Sequence, residues 1–380
     1  MKKNILLLVA LISLAQFGMS QINNQLLNAE IDVHDSLKGS VLLSVENKNF
    51  LRNNEYFGNI ATGYTLFGTQ LALQTAYVPH ENVRIQGGIF LLSDFGNPAL
   101  RQVSPMLTLK LQKKGYSFLF GTLEGNLSHR LIEPLFNYER YISHPIENGL
   151  QFKINHDKLW SDTWLNWEVM QYYQSDFQEQ FTAGHSTSIQ LFGNDHMSLH
   201  LPLQGIITHR GGQIDTLQAP LQTMANGAIG LVFSYRSQGF IRELKTENYY
   251  SMYKDLSPVK QNPYNQGDGI YLNVSVKSRQ DVLLSAGYWQ GKTFMASRGG
   301  YLFQSAASIF GKPGYQESNR EILFFRLLYQ HKLLKGLSAD VRFEPYYDLG
   351  NQLFEYNYSI FLTYKKDFEM INLIKRKGRN

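Results

Sequence analysis

The chain has 380 residues, no cysteine, and 36 Lys and Arg against 31 Asp and Glu. The lack of thiols excludes disulfide scaffolds, thiolate catalysis and cysteine metal sites. Two positive charges sit at the N-terminus and four in the last six residues. The span from Gln21 to Ile374 is left with 30 basic against 31 acidic groups, which makes no case for nucleic-acid binding.

Lys2 and Lys3 precede an apolar run from Ile5 to Leu14, and Gly18-Met19-Ser20 supplies small residues for cleavage. This predicts an export leader over residues 1–20, with the mature chain starting at Gln21. No later stretch offers about 18 unbroken apolar residues, so a membrane-spanning helix is not available. A membrane home then requires a closed barrel, the other structure that satisfies every backbone polar group in hydrocarbon.

Alternation supplies the strands. It begins at Ser40–Val45 and Thr69–Val78, and in Asn82–Leu92 it sets Val83, Ile85, Ile89 and Leu91 opposite Arg84, Gln86 and Phe90. Val103–Gln112 opposes Leu107, Leu109 and Leu111 to Thr108, Lys110 and Gln112, and a Lys-Lys-Gly turn leads into Tyr116–Glu124. The pattern continues through Gly149–Asn155, Thr163–Tyr173, Gln178–Phe192, Asp195–Thr208, Met224–Arg236, Gly269–Lys277 and Asp281–Trp289. Glu321–Lys332, Gly336–Tyr347 and Phe354–Lys365 complete fifteen, with weaker candidates at Asn59–Leu66 and Tyr301–Ser308. Even parity makes this an all-β, closed antiparallel transmembrane β-barrel of about 16 strands (14–18). The barrel is expected over 21–368, with a basic tail over 369–380. Short turns near Glu81, Lys114, Asn194, Arg279 and Lys335 contrast with long segments at Gly125–Asn148, Gly211–Leu221, Gln238–Asp268 and Lys292–Asn319. Barrels with periplasmic turns and longer external loops show that asymmetry.

The final run alternates Tyr356, Tyr358, Ile360, Leu362 and Tyr364 with Asn357, Ser359, Phe361, Thr363 and Lys365. It resembles the closing strand of Gram-negative outer-membrane barrels, although Phe368 is followed by twelve residues and does not end the chain. Asn53-Asn54-Glu55-Tyr56-Phe57 and Glu124–Gly149 resemble an uncharacterised porin-like barrel family, which implies a bacterial outer-membrane location and fold without a substrate.

Lumen-facing charges are expected at Arg84, Lys110, Lys153, Glu168, Lys277, Arg326, Asp340, Arg342 and Glu344, mixed in sign and so weakly selective. Segment 125–148 has the mixture of a loop that folds into the mouth, with His129, Arg130, Glu133, Glu139 and Arg140 lining a constriction. His196 and His200 share a face but lie about 13 Å apart on a strand, too far for one metal ion; no metal and no cofactor are expected. Outer-membrane phospholipases resemble this chain in barrel size and carry a lipid-facing His-x-Ser pair. Here His196-Met197-Ser198 is the match, but the alternation turns it inward. The first reading is therefore a porin-like channel for small hydrophilic solutes. A scaffold for surface assembly or polysaccharide export comes second, and an outer-membrane lipid hydrolase third. Outer-membrane lipids, small solutes, further copies of the chain or envelope proteins are the partner classes.

Overall fold

Sixteen strands pair antiparallel with their sequence neighbours, and the last pairs with the first to close a barrel. The computed structural model describes residues 27, 30–308 and 311–374; the leader expected over residues 1–20 and most of the expected basic tail, from Lys375 onward, lie outside the described residues. The first eight strands are β1 (Ser40–Glu55), β2 (Tyr64–His80), β3 (Val83–Asp94), β4 (Gln102–Lys113), β5 (Tyr116–Thr122), β6 (Asn148–His156), β7 (Leu159–Val169) and β8 (Gln180–Gly193). The others are β9 (Met197–Arg210), β10 (Gln222–Arg236), β11 (Ile241–Asp255), β12 (Gln266–Ser278), β13 (Val282–Lys292), β14 (Asn319–Leu334), β15 (Leu337–Asp348) and β16 (Leu353–Asn372). Both the first strand's start and the last strand's end lie at the short-turn, periplasmic end.

The alternation has a physical reading at every strand. Leu107, Leu272, Val274, Val341 and Ile360 are exposed on the outer wall, where lipid covers them, while Arg84, Lys110, Arg326, Asp340, Arg342 and Glu344 are buried inside. Lys153, Glu168 and Lys277 also point inward and are half-buried.

Three details differ from the sequence expectations. The Tyr-rich segment 238–268, expected as a loop, contains β11. Its outward face carries Thr246 and Asn248, hydrogen-bonded to each other at 3.1 Å, so the greasy half of the pattern is missing there. Tyr301–Ser308 is not a strand: Tyr301–Phe303 form a 3-10 turn and Ala306 makes a lone bridge to Gln316. At the C-terminal end, β16 continues past Phe368 to Asn372.

The wall is uneven. β5 and β6 have 7 and 9 residues, whereas β2 and β16 have 17 and 20. Gly121 and Gly149 face each other across β5 and β6. Both have positive φ (98° and 153°), and a Cβ on either would meet a neighbouring carbonyl oxygen at 2.1 or 2.0 Å. At this glycine pair the chain leaves the wall and turns inward as the loop 123–147.

Candidate functional site

Loop 123–147 crosses the lumen and is bonded to strands around most of its circumference. Near its start, Glu124 accepts from Lys110 of β4 and Lys153 of β6, each at 2.7 Å. Burial opposes its charge, but Lys153 and Lys110 hold its pKa down at about 2. His129 is fully buried between Asp162 of β7 (Nδ1, 3.0 Å) and Glu147 (Nε2, 2.8 Å), with its ring stacked at 3.6 Å on Trp164. Burial disfavours the imidazolium, yet Glu147 and Asp162 outweigh that and raise its pKa to about 9. An imidazole held on both nitrogens by carboxylates is a fixed cation and not a proton shuttle.

Farther along, the Ile132 amide donates to Gln204 of β9 (2.9 Å), and that side chain returns a bond to the Arg130 carbonyl (2.9 Å). Glu133 pairs with Arg326 of β14, which also reaches Glu344 of β15 at 3.1 Å. Arg52 of β1 donates to Glu139 (3.0 Å), Glu344 (3.2 Å) and Asn357 of β16 (3.0 Å), and to the Tyr138 hydroxyl. Gln70 of β2 donates to the carbonyls of Tyr141 and Ile142. Every charge in this layer has a partner of opposite sign or a hydrogen bond, as buried charges require.

Apolar packing fills the remaining space. Ile132 and Leu135 join Trp289, Phe294, Phe303 and Phe324 in a core shared with loop 293–318, while Tyr138, Tyr141 and Ile142 pack on Phe50, Phe90 and Phe361 from the opposite wall. The two loops are also tied by backbone bonds, Asn137 to the Arg298 carbonyl (2.6 Å) and Gly300 to the Glu133 carbonyl (2.8 Å). The five residues expected to line a constriction thus lie inside the barrel, with His129, Glu133, Glu139 and Arg140 ion-paired and the Arg130 guanidinium over the Trp160 ring.

The external mouth holds a second kind of arrangement. Arg140 (3.7 Å) and Arg298 (2.7 Å) share the single carboxylate of Glu168, leaving one net positive charge. One helical turn, Arg140–Ser143, ends beside them, and Ser143 Oγ lies 3.0 Å from Nδ1 of exposed His144. Partial desolvation and then Arg140 lower the His144 pKa to about 4, so the ring is neutral at pH 7. Ser143 and His144 lie near the end of loop 123–147, shortly before the chain rejoins the short section of wall at β6. A different hydroxyl–imidazole pair lies on the lipid-facing wall, where Thr163 Oγ1 of β7 meets His185 Nδ1 of β8 at 2.8 Å, opposite the bare Gly205.

The His-x-Ser match separates: His196 is exposed in a turn and Ser198 faces the lumen. No group of three His, Asp or Glu suited to a metal ion occurs among the described residues.

A family model described as lipid A 3'-O-deacylase-type matches residues 31–373. The chain belongs to that family. The match runs from before β1 through the end of β16, so the lipid A 3'-O-deacylase-type assignment rests on the whole barrel. Among solved structures the fold is similar to the outer membrane protein OprD from Pseudomonas aeruginosa, with a TM-score of 0.50, 9% identity, and coverage of 93% of this chain and 98% of that one. It is also similar to in-vitro folded OmpT of Vibrio cholerae, with a TM-score of 0.50, 12% identity, and coverage of 89% and 99%. At such identities these likenesses establish the outer-membrane barrel fold alone. No curated protein matches the sequence.

Proposed function

We propose that this barrel acts on outer-leaflet lipid, as an acyl-ester hydrolase of the lipid A type, and that passage of solutes is not its main role. The family match across residues 31–373 carries this reading. The bonded plug across the lumen supports it, because free diffusion needs an aqueous path, whereas lipid chemistry needs only a stable barrel and a site at the leaflet. The order of readings drawn from the sequence is accordingly reversed.

The external mouth suits such a substrate. Arg140 and Arg298 present the net positive charge that a headgroup phosphate requires. Ser143 supplies a hydroxyl nucleophile, which at rest donates to the Glu139 carbonyl (3.3 Å), and His144 a neutral ring nitrogen within hydrogen-bond reach to serve as the base. Ser143 Oγ attacks the acyl carbonyl while His144 takes the hydroxyl proton, then returns it to the departing sugar oxygen. Water, deprotonated by the same ring, releases the fatty acid and restores Ser143. The low wall at β5 and β6 gives a headgroup lateral access to this pair.

The test is mass spectrometry of lipid A incubated with the folded full-length protein in mixed micelles. One acyl chain is expected to leave as free fatty acid. Ser143→Ala and His144→Ala are each expected to slow release at least about a hundredfold, while His185→Ala leaves it intact. Loss in His185→Ala alone would move the chemistry to the lipid-facing wall, and no release from the unmodified protein would end the hydrolase reading.

A further inference from the structure

Beneath the plug, the periplasmic half of the lumen holds two adjoining cavities of about 790 and 960 Å3, which share Asn126, Leu127, Lys277 and Asp281. The smaller lies against an arc of β8, β9 and β10 that presents four serines, Ser186, Ser188, Ser198 and Ser234, beside the longer His200, Gln204 and Arg236. Ser198 and Ser234 are opposite each other in register. Where the external half of the lumen is filled by Arg, Trp and Phe, this arc offers hydroxyls and open volume. Trp160, Tyr249 and Tyr271 add aromatic surface to the same cavity.

The charges around this cup do not balance. Three of the four lining carboxylates already have a cation: Glu133 has Arg326, Glu243 has Arg236 at 3.7 Å, and Glu247 has Lys245 at 3.0 Å; the fourth, Asp281, meets the His331 ring at 3.0 Å. Arg242, Lys277 and Arg279 line the cavity, and among the described residues they make no ion pair and no side-chain hydrogen bond. They come from β11, β12 and the turn that follows, so they converge from neighbouring strands at the periplasmic rim. The volume falls within the range of roughly 300–1,000 Å3 seen for small-molecule sites, but such sites are usually apolar and this one is not.

We infer that this cup binds a small anionic sugar from the periplasm, with Arg242, Lys277 and Arg279 holding its charged group and the serine arc its hydroxyls. A carboxylate and a phosphate both satisfy those cations, so the ligand is defined by a polyhydroxylated body bearing either. The site is on the opposite side of the plug from Ser143 and does not depend on the hydrolase reading.

Titration calorimetry on the folded full-length protein, using trigalacturonate, glucose 1-phosphate and uncharged maltotriose, tests it. At least one anionic sugar is expected to bind, at least about tenfold more tightly than maltotriose, with affinity falling as salt rises. A triple variant, Arg242→Gln with Lys277→Gln and Arg279→Gln, is expected to weaken binding at least about tenfold. Ser234→Trp, which fills the cup without changing its charge, abolishes binding, and heat-modifiable mobility on gels confirms that both variants remain folded. Trigalacturonate binding alone identifies a carboxylate ligand, and glucose 1-phosphate binding alone a phosphate. Absence of binding by both anionic sugars, equal binding of maltotriose, or undiminished binding in either variant overturns the proposal.

Discussion

The two halves of the lumen are built from the same inward-facing strand positions and have opposite character. Toward the outside, long charged and aromatic side chains meet a loop that satisfies nearly all of them, and the space is full. Toward the periplasm, serines are interspersed among them, three cations have no ion pair among the described residues, and cavities of about 790 and 960 Å3 open. Barrel geometry fixes which residues point inward, but side-chain length and the presence of an inserted loop decide whether the interior is a core or a vessel.

Removing the plug is expected to erase the difference most completely. Deleting Leu131 to Ser143 takes out the residues that pack on both walls while leaving every strand hydrogen bond in place. In planar bilayers the unmodified protein is expected to show little or no steady conductance and the deletion variant a clear open channel. Equal conductance in the two would mean that the loop does not close the lumen.

A smaller but sharp effect is expected from Glu344→Ala. This carboxylate serves both Arg52 and Arg326, and removing one member of a buried charge cluster leaves the others uncompensated. The expected loss is about 3–5 kcal/mol of stability, read from denaturant unfolding of the detergent-folded barrel. A loss under about 1 kcal/mol would show that Glu133 and Glu139 take over its role.

The mildest effect follows pH. His129 has its folded pKa raised to about 9, so its contribution to holding the loop is complete below its ordinary value near 6.5 and fades as pH rises through 9. Above that, Asp162 and Glu147 face a neutral ring. Amide exchange in residues 126–147, corrected for intrinsic rate, is expected to quicken between pH 8 and 10, and His129→Ala should remove the step. At the acid side Glu124, with its pKa near 2, keeps the loop's entry anchored until pH falls well below 4.

Much of this wall was legible from period-two alternation, because one-residue errors would have moved whole strands to the wrong face. β11 was not legible, since Thr246 and Asn248 put polar groups on its lipid side and Tyr249 and Tyr253 put aromatics inside. The interior loop was legible by composition alone. Its partners were not, because Asp162, Arg326 and Glu344 approach it only through barrel closure and have no sequence relation to it. The Ser143–His144 pair escaped for another reason: neighbouring residues do not share a strand face, so it forms only where a helical turn breaks the alternation.

Arg52 also bears on the order in which the chain folds. From β1 it bonds Tyr138 and Glu139 in the middle of the sequence, Glu344 on β15, and Asn357 on β16, 305 positions away. Such separations make the seam between first and last strands the slowest contact to form, since the longest loop must close before any bond repays it. The seam gains its full set of inner bonds only if residues 123–147 already lie at the centre when it zips. A barrel that closes with this loop outside would keep its backbone ladder but leave Arg52, Arg326 and Glu344 short of Glu139 and Glu133, so correct threading of the middle of the chain is registered at the junction of its two ends.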